Sequence, residues 1–186
     1  VSIHDGNFEY PPPELVLDDP VLPAEAVWDA ASGKPAARET YYHLTRAHAR
    51  LKEIDPAFTS LDQVVPVLVN DSTATCNAMA YLYPESPFLR FLIGSYYCAN
   101  AGELADVIYH EYAHLITMYA YYPEDASSVF HEAFSDYFAA SLVDTSVIGR
   151  DFLGEGTHLR DLENDLTWPI TDPHCAEDPH CVGQLL

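Results

Sequence analysis

The stretch Val107-Ile108-Tyr109-His110-Glu111-Tyr112-Ala113-His114 decides how the rest of this chain is read. Residues 110–114 fit the pattern H-E-x-x-H inside a run that reads as helix over about 101–119. Asn100 is placed to cap that helix, and Glu103 and Asp106 suit the positive end of its dipole. A four-residue step brings His110 and His114 to one helical face, where the two imidazoles can share one tetrahedral zinc ion at about 2.0–2.1 Å. Glu111 sits beside the pair, suited to take a proton from an attacking water as general base.

A catalytic zinc needs a third protein ligand and one position left open. A second helix, expected over 127–142 after the breaker Pro123, supplies that ligand. In His131-Glu132-Ala133-Phe134-Ser135-Asp136 the two carboxylates lie one turn apart, so Glu132 can bind metal while Asp136 accepts the outer N–H of a ligand histidine. Two like charges at this step repel on a bare helix face, which argues against mere surface decoration.

Residues 107–114 followed by Glu132-Ala133-Phe134-Ser135-Asp136 resemble the gluzincin peptidases, specifically the thermolysin and fungalysin families. The rival metzincin pattern requires glycine at 117 and histidine at 120, where this chain has Thr117 and Ala120. Gluzincin aminopeptidases have a similar gap before the third ligand, but the Ser135-Asp136 ending favours the thermolysin side. More weakly, the resemblance extends over about 77–180. Asn77-Ala78 resembles the edge-strand segment that pairs with substrate backbone. Leu159-Arg160 resembles a pair whose arginine binds a substrate carbonyl, and His180, with Gly183 after it, resembles the histidine that stabilises the oxyanion. His174 offers the same residue type in the duplicated tetrapeptide Asp-Pro-His-Cys, at 172–175 and 178–181.

Some positions depart from the family. His131 stands where thermolysin has asparagine and competes with its neighbour as a ligand, and the family's catalytic tyrosine could be matched by Tyr121 or Tyr122. For Ca2+, Asp106 matches one acidic position, while the downstream cluster is only partly reproduced by Asp144 and Asp151. In the family the segment after the stabilising histidine continues into a helical lobe that walls the cleft. Here Leu186 follows His180 by only six residues. The expectation is therefore a fragment with the C-terminal lobe largely absent, supplied by missing chain or a partner.

Composition narrows the function further. Twenty-nine acidic against eight basic residues give a formal charge of −21, which repels nucleic acid and anionic lipid, and five of the eight (Lys34, Arg38, Arg46, Arg50, Lys52) share one short stretch. Such a surface favours cationic substrates or divalent ions. No apolar run reaches membrane-spanning length. Four cysteines forming two local pairs, Cys76 with Cys98 and Cys175 with Cys181, in a chain that starts at Val1 rather than Met, suggest a processed, secreted or periplasmic protein with two disulfides.

A hydrophobic content of 48% is enough for a real core. Prolines 11, 12, 13, 20 and 23 make residues 1–23 an extended arm ahead of a metallopeptidase domain over 24–186. A helix over 36–54, a strand over 64–69 that Pro66 confines to an edge or a strand start, and a hairpin of 77–83 with 88–93 are expected. His43 and His48 lie on the first helix as packing or surface residues. The fold class expected is α+β: an N-terminal antiparallel sheet lobe packed on the zinc-site helices, the cleft lying between the hairpin edge and the helix of His110. Function follows as a zinc-dependent endopeptidase acting on a protein or peptide substrate, with Glu111 as base and Arg160 and His180 facing the carbonyl oxygen. The alternatives are a gluzincin aminopeptidase, an inactive zinc-binding interaction domain, and an acidic adhesion module without metal.

Overall fold

The computed structural model describes residues 1–5, 35–82 and 86–185. The proline-rich arm lies, from residue 6 onward, outside them. The elements run β1 (Ser2–Asp5), α1 (Pro35–Ile54), β2 (Pro66–Thr75), β3 (Ala78–Leu82), β4 (Pro87–Ile93), a 3₁₀ turn (Ala101–Glu103), α2 (Ala105–Tyr121), α3 (Ser128–Val143), β5 (Val147–Ile148), β6 (Arg160–Asp161), α4 (Pro173–Ala176) and α5 (Pro179–Gly183).

The α+β class holds, but the sheet is mixed rather than antiparallel. Its strand order is β1-β2-β4-β3: β1 and β4 both run parallel to β2, and only β3 is antiparallel to β4. The reason is topological. α1 lies in the connection from β1 to β2, and a connection of that length allows the chain to re-enter the sheet in the same direction. The chain then skips one position to lay down β3 at the edge and returns through the gap as β4. Pro66 does open β2, as expected, yet β2 is an interior strand. Pro66 pairs there with Ser2 at the strand start, where its missing N–H is tolerated.

Side chains from every layer meet in one core. Leu44 and Ala47 of α1, Val67 and Val69 of β2, Leu89 and Phe91 of β4, and Ile108, Tyr109 and Leu115 of α2 are all almost fully buried. Each large apolar side chain so buried contributes about 1.5–3 kcal/mol. α2 is covered by the sheet, α1 and α3 together, which is why its sequence is apolar on most faces rather than on one stripe. The sheet buries the charge of one of its acidic side chains. Asp71, fully inaccessible, accepts from Nε and Nη2 of the Arg90 guanidinium and from Thr73, linking β2 to β4.

The start of α2 differs from the sequence reading. The Asn100 side chain does cap, accepting from Gly102 N at 3.0 Å, but what it caps is the 3₁₀ turn. α2 proper begins after Leu104, without a side-chain cap. Asp106 still takes up backbone donors, but from a distant loop: its Oδ2 accepts from Gly149 N at 2.6 Å and from Arg150 N at 3.3 Å. α3 follows its expected course, with Ser127 accepting from Phe130 N. Both expected disulfides are present, Cys76–Cys98 at the base of the β3–β4 hairpin and Cys175–Cys181 between α4 and α5.

Candidate active site

His110, Glu111 and His114 project from the middle of α2, where the helix is covered by its neighbours, so all three are withdrawn from water. α3 crosses α2 and brings Glu132 against them. His110 Nε2 lies 3.2 Å from Glu132 Oε2, His114 Nε2 lies 3.7 Å from Glu132 Oε1, and the two Nε2 atoms are 3.0 Å apart. Donors at 2.0–2.1 Å from one tetrahedral ion are separated by about 3.3 Å. The observed spacings bracket that value, and the rings stand at 87° to one another, edges converging. Glu132 Oε2 is buried yet receives no hydrogen bond of acceptable geometry. A buried carboxylate oxygen in that condition is costly unless a cation satisfies it. The donor set and its geometry therefore fit a metal ion.

The outer nitrogens are held in turn. His110 Nδ1 lies 2.8 Å from Asp136 Oδ1, off the line of a good hydrogen bond, and Ser135 Oγ lies 3.1 Å from His114 Nδ1. Arg160 clamps Asp136 with Nε donating to Oδ2 and Nη2 to Oδ1, both at 2.6 Å.

Electrostatics divide these groups. Burial pushes the Glu111 carboxyl up to about 7, with His110 and Arg160 opposing and Glu132 reinforcing the rise. His114 falls to about 3, through burial first and the neighbouring His110 second, so its imidazole is neutral with a lone pair to offer. Burial disfavours the His110 cation too, but contact with Asp136 and Glu132 outweighs it and raises the group to about 9. Burial opposes the Asp136 carboxylate as well. His110 and Arg160 nevertheless hold it down to about 2.

His180, on α5, reaches the same place. Its Nε2 lies 3.0 Å from Glu132 Oε2, its ring stacks on His110 at 6.3 Å, and its Nδ1 lies 3.1 Å from Asp178 Oδ1. α5 can approach because residue 183 is glycine: a Cβ there would come within 3.0 Å of Ala133 N on α3. His174 is exposed on α4 and lines no pocket around His110. His131 is turned to Thr117 and Asp125, with its Nε2 2.9 Å from Asp125 Oδ1, and so does not compete with Glu132. Neither Tyr121 nor Tyr122 lines the cleft among the described residues. His43 and His48 bond the buried hydroxyls of Tyr109 and Tyr112, as packing residues do.

The cleft itself lies between β3 and α2. A pocket of about 80 Å³ is walled by Val107, Ile148, Phe152 and Leu159 and rimmed by Asn77, Ala78, Glu111, Arg160 and His180. A shallower groove continues along β3 through Met79 and Tyr81 past His114 and Glu132. Ile148 and Phe152 were not singled out in the sequence; they come from the loop that Asp106 anchors, and nothing in their spacing announces a pocket. The Arg160–Asp136 clamp was equally silent, though each partner was picked for another reason. Among the described residues Asp106, Asp144 and Asp151 form no group of metal-ligand spacing: Asp106, on α2, accepts from the backbone N–H groups of Gly149 and Arg150, Asp151 accepts from Gly156 N in its own loop, and Asp144 ends α3.

By sequence, no family model and no curated protein matches this chain. By structure, it is similar to a precursor of protealysin, a metalloproteinase from Serratia proteamaculans, with a TM-score of 0.60 and 17% identity. The match covers 87% of this chain and 52% of that one, so the chain spans about half the length of that solved structure. At this identity the likeness is one of fold.

Proposed function

We propose that this chain is a zinc-dependent endopeptidase whose ion is held by His110, His114 and Glu132. The observation that carries the reading is the convergence of those three side chains at tetrahedral donor spacing, with Oε2 of the buried carboxylate otherwise unsatisfied. Bound there, zinc would supply Lewis-acid polarisation of the attacking water and of the scissile carbonyl.

The remaining chemistry belongs to the chain. Glu111, buried beside the ligands and balanced near neutrality, takes the proton of the attacking water and passes it to the leaving amine. Asp136 orients the imidazole of His110 and is itself fixed by Arg160, whose guanidinium lies at the pocket rim and in this reading binds the substrate carbonyl oxygen. β3 has a paired neighbour on one side only among the described residues, so an extended peptide can add to its free edge beside Asn77 and Ala78. The walls of the pocket favour an apolar substrate side chain. Two disulfides support an oxidising compartment and hence secretion, and none of the described helices is long and apolar enough to cross a membrane.

The test is metal analysis of the purified chain together with hydrolysis of an unfolded protein. One zinc per chain and cleavage abolished by a chelator and restored by Zn2+ are expected. Absence of bound metal, or cleavage indifferent to the chelator, refutes the reading.

A further inference from the structure

We propose that His180 is itself a metal ligand in the resting protein, closing the position that His110, His114 and Glu132 leave open and departing when substrate enters. The proposal rests on the zinc reading and adds to it a built-in restraint on the same site.

Three features carry it. First, His110, Glu132 and His180 bring ligand atoms within 4.8 Å of one another, and the separations of 3.0 Å from His180 Nε2 and 3.2 Å from His110 Nε2 to Glu132 Oε2 are close to the spacing of ligands on one tetrahedral ion. Second, an ordinary His–Glu hydrogen bond would satisfy Glu132 Oε2. It does not: the oxygen stays without a partner of acceptable geometry although two imidazole nitrogens approach it. The nitrogens and the oxygen share a neighbourhood without being aimed at each other, which is the arrangement of groups aimed at a common cation. Third, His180 Nδ1 is engaged by Asp178 Oδ1 at 3.1 Å. A carboxylate on the outer nitrogen fixes the tautomer that presents a bare Nε2 lone pair, the usual arrangement of a ligating histidine.

His180 also differs from the other donors in a way that makes it the one to leave. His110 and His114 belong to the covered middle of α2, whereas the His180 side chain is 45% exposed and rides on the five-residue α5. Four protein donors make a closed site and three make an open one. Movement of this one side chain therefore separates a resting from a reactive state, and once off the ion, His180 remains at the pocket rim, facing the substrate carbonyl.

The test uses the full chain, freed of metal and reloaded with Co2+, whose visible absorption reports coordination number and donor set. His180→Ala is expected to raise the Co2+ dissociation constant by about tenfold or more and to change the intensity of the visible band. His174→Ala, in the twin tetrapeptide, is expected to leave both where they were. Hyperfine-shifted imidazole N–H signals of the wild-type Co2+ protein give a measurement that needs no variant: signals from three histidines support the proposal, and signals from two overturn it. Affinity and spectrum that His180→Ala does not move also overturn it, while the zinc reading survives. A wild-type chain that binds neither Co2+ nor Zn2+ overturns both.

Discussion

Glu111 and Asp136 are both carboxylic acids buried within one site, yet their protons are driven in opposite directions. Glu111 rises to about 7 because burial is not matched by a strong cationic partner, whereas Asp136 sinks to about 2 because His110 and the Arg160 fork outweigh its burial. The first is suited to moving a proton and the second to holding a charge. Accordingly, Glu111→Gln should retain zinc by metal analysis while turnover falls by about 10²–10⁴-fold; activity near the wild-type level would remove Glu111 from the mechanism. Asp136→Asn leaves Arg160 without its carboxylate and should lower stability by about 3 kcal/mol near pH 6. It should also change the pH dependence of the metal-free protein. A depressed carboxylate stabilises the fold above its unfolded pKa, and that contribution is lost as pH falls towards about 2. The raised His110 stabilises below its unfolded pKa and loses that contribution as pH rises through about 9. Urea unfolding in the presence of a chelator should thus show wild-type stability declining on both sides and Asp136→Asn flatter across the range. Parallel curves would contradict the assignment. These roles were only partly legible in the sequence: the two histidines and Glu132 are announced by helical spacing, but Arg160 lies 24 residues beyond Asp136, and no local pattern links them.

At the scale of elements, the hairpin β3–β4 sets the cleft edge, and the Cys76–Cys98 disulfide ties its base. The bridge closes a loop of sequence separation 22. Removing it with Cys76→Ser and Cys98→Ser together should cost about 3 kcal/mol through the freed unfolded chain. Thermal unfolding reads that loss, and an unchanged midpoint would mean the hairpin is held by its ladder alone. Because Asn77 and Ala78 follow Cys76 directly, KM should rise more than kcat falls. α1, the hairpin and α3 were legible because each is specified by local periodicity, turn residues or a cap. The parallel pairing of β1 and β4 with β2 was not, since strand direction depends on how connections cross the sheet, which no short window of residues encodes. The division of 101–121 into a 3₁₀ turn and α2 escaped for a similar reason, as Leu104 offers no breaker residue to mark the junction.

For the whole molecule, α2 and α3 meet at groups that carry a cost of burial, α5 lays His180 beside them, and a cation bound there would offset that cost. Zinc at 100 times its dissociation constant should stabilise the chain by about 2.7 kcal/mol. For a chain of this size that corresponds to a rise in midpoint of several degrees, at about 2–4 °C per kcal/mol. Scanning calorimetry of chelated and Zn2+-loaded protein measures it directly, and coincident transitions would argue against a bound ion. The sequence by itself determined the two helices that carry His110, Glu111, His114 and Glu132, the singling out of those four side chains, and both disulfides, because spacing along a helix and small loops are local properties. Only the tertiary structure decided that His180 rather than His174 reaches the site, that His131 turns away, and that Ile148 and Phe152 wall the pocket. Those outcomes depend on which helices and loops approach one another, and close approach is fixed by packing over the whole chain, down to the missing Cβ of Gly183.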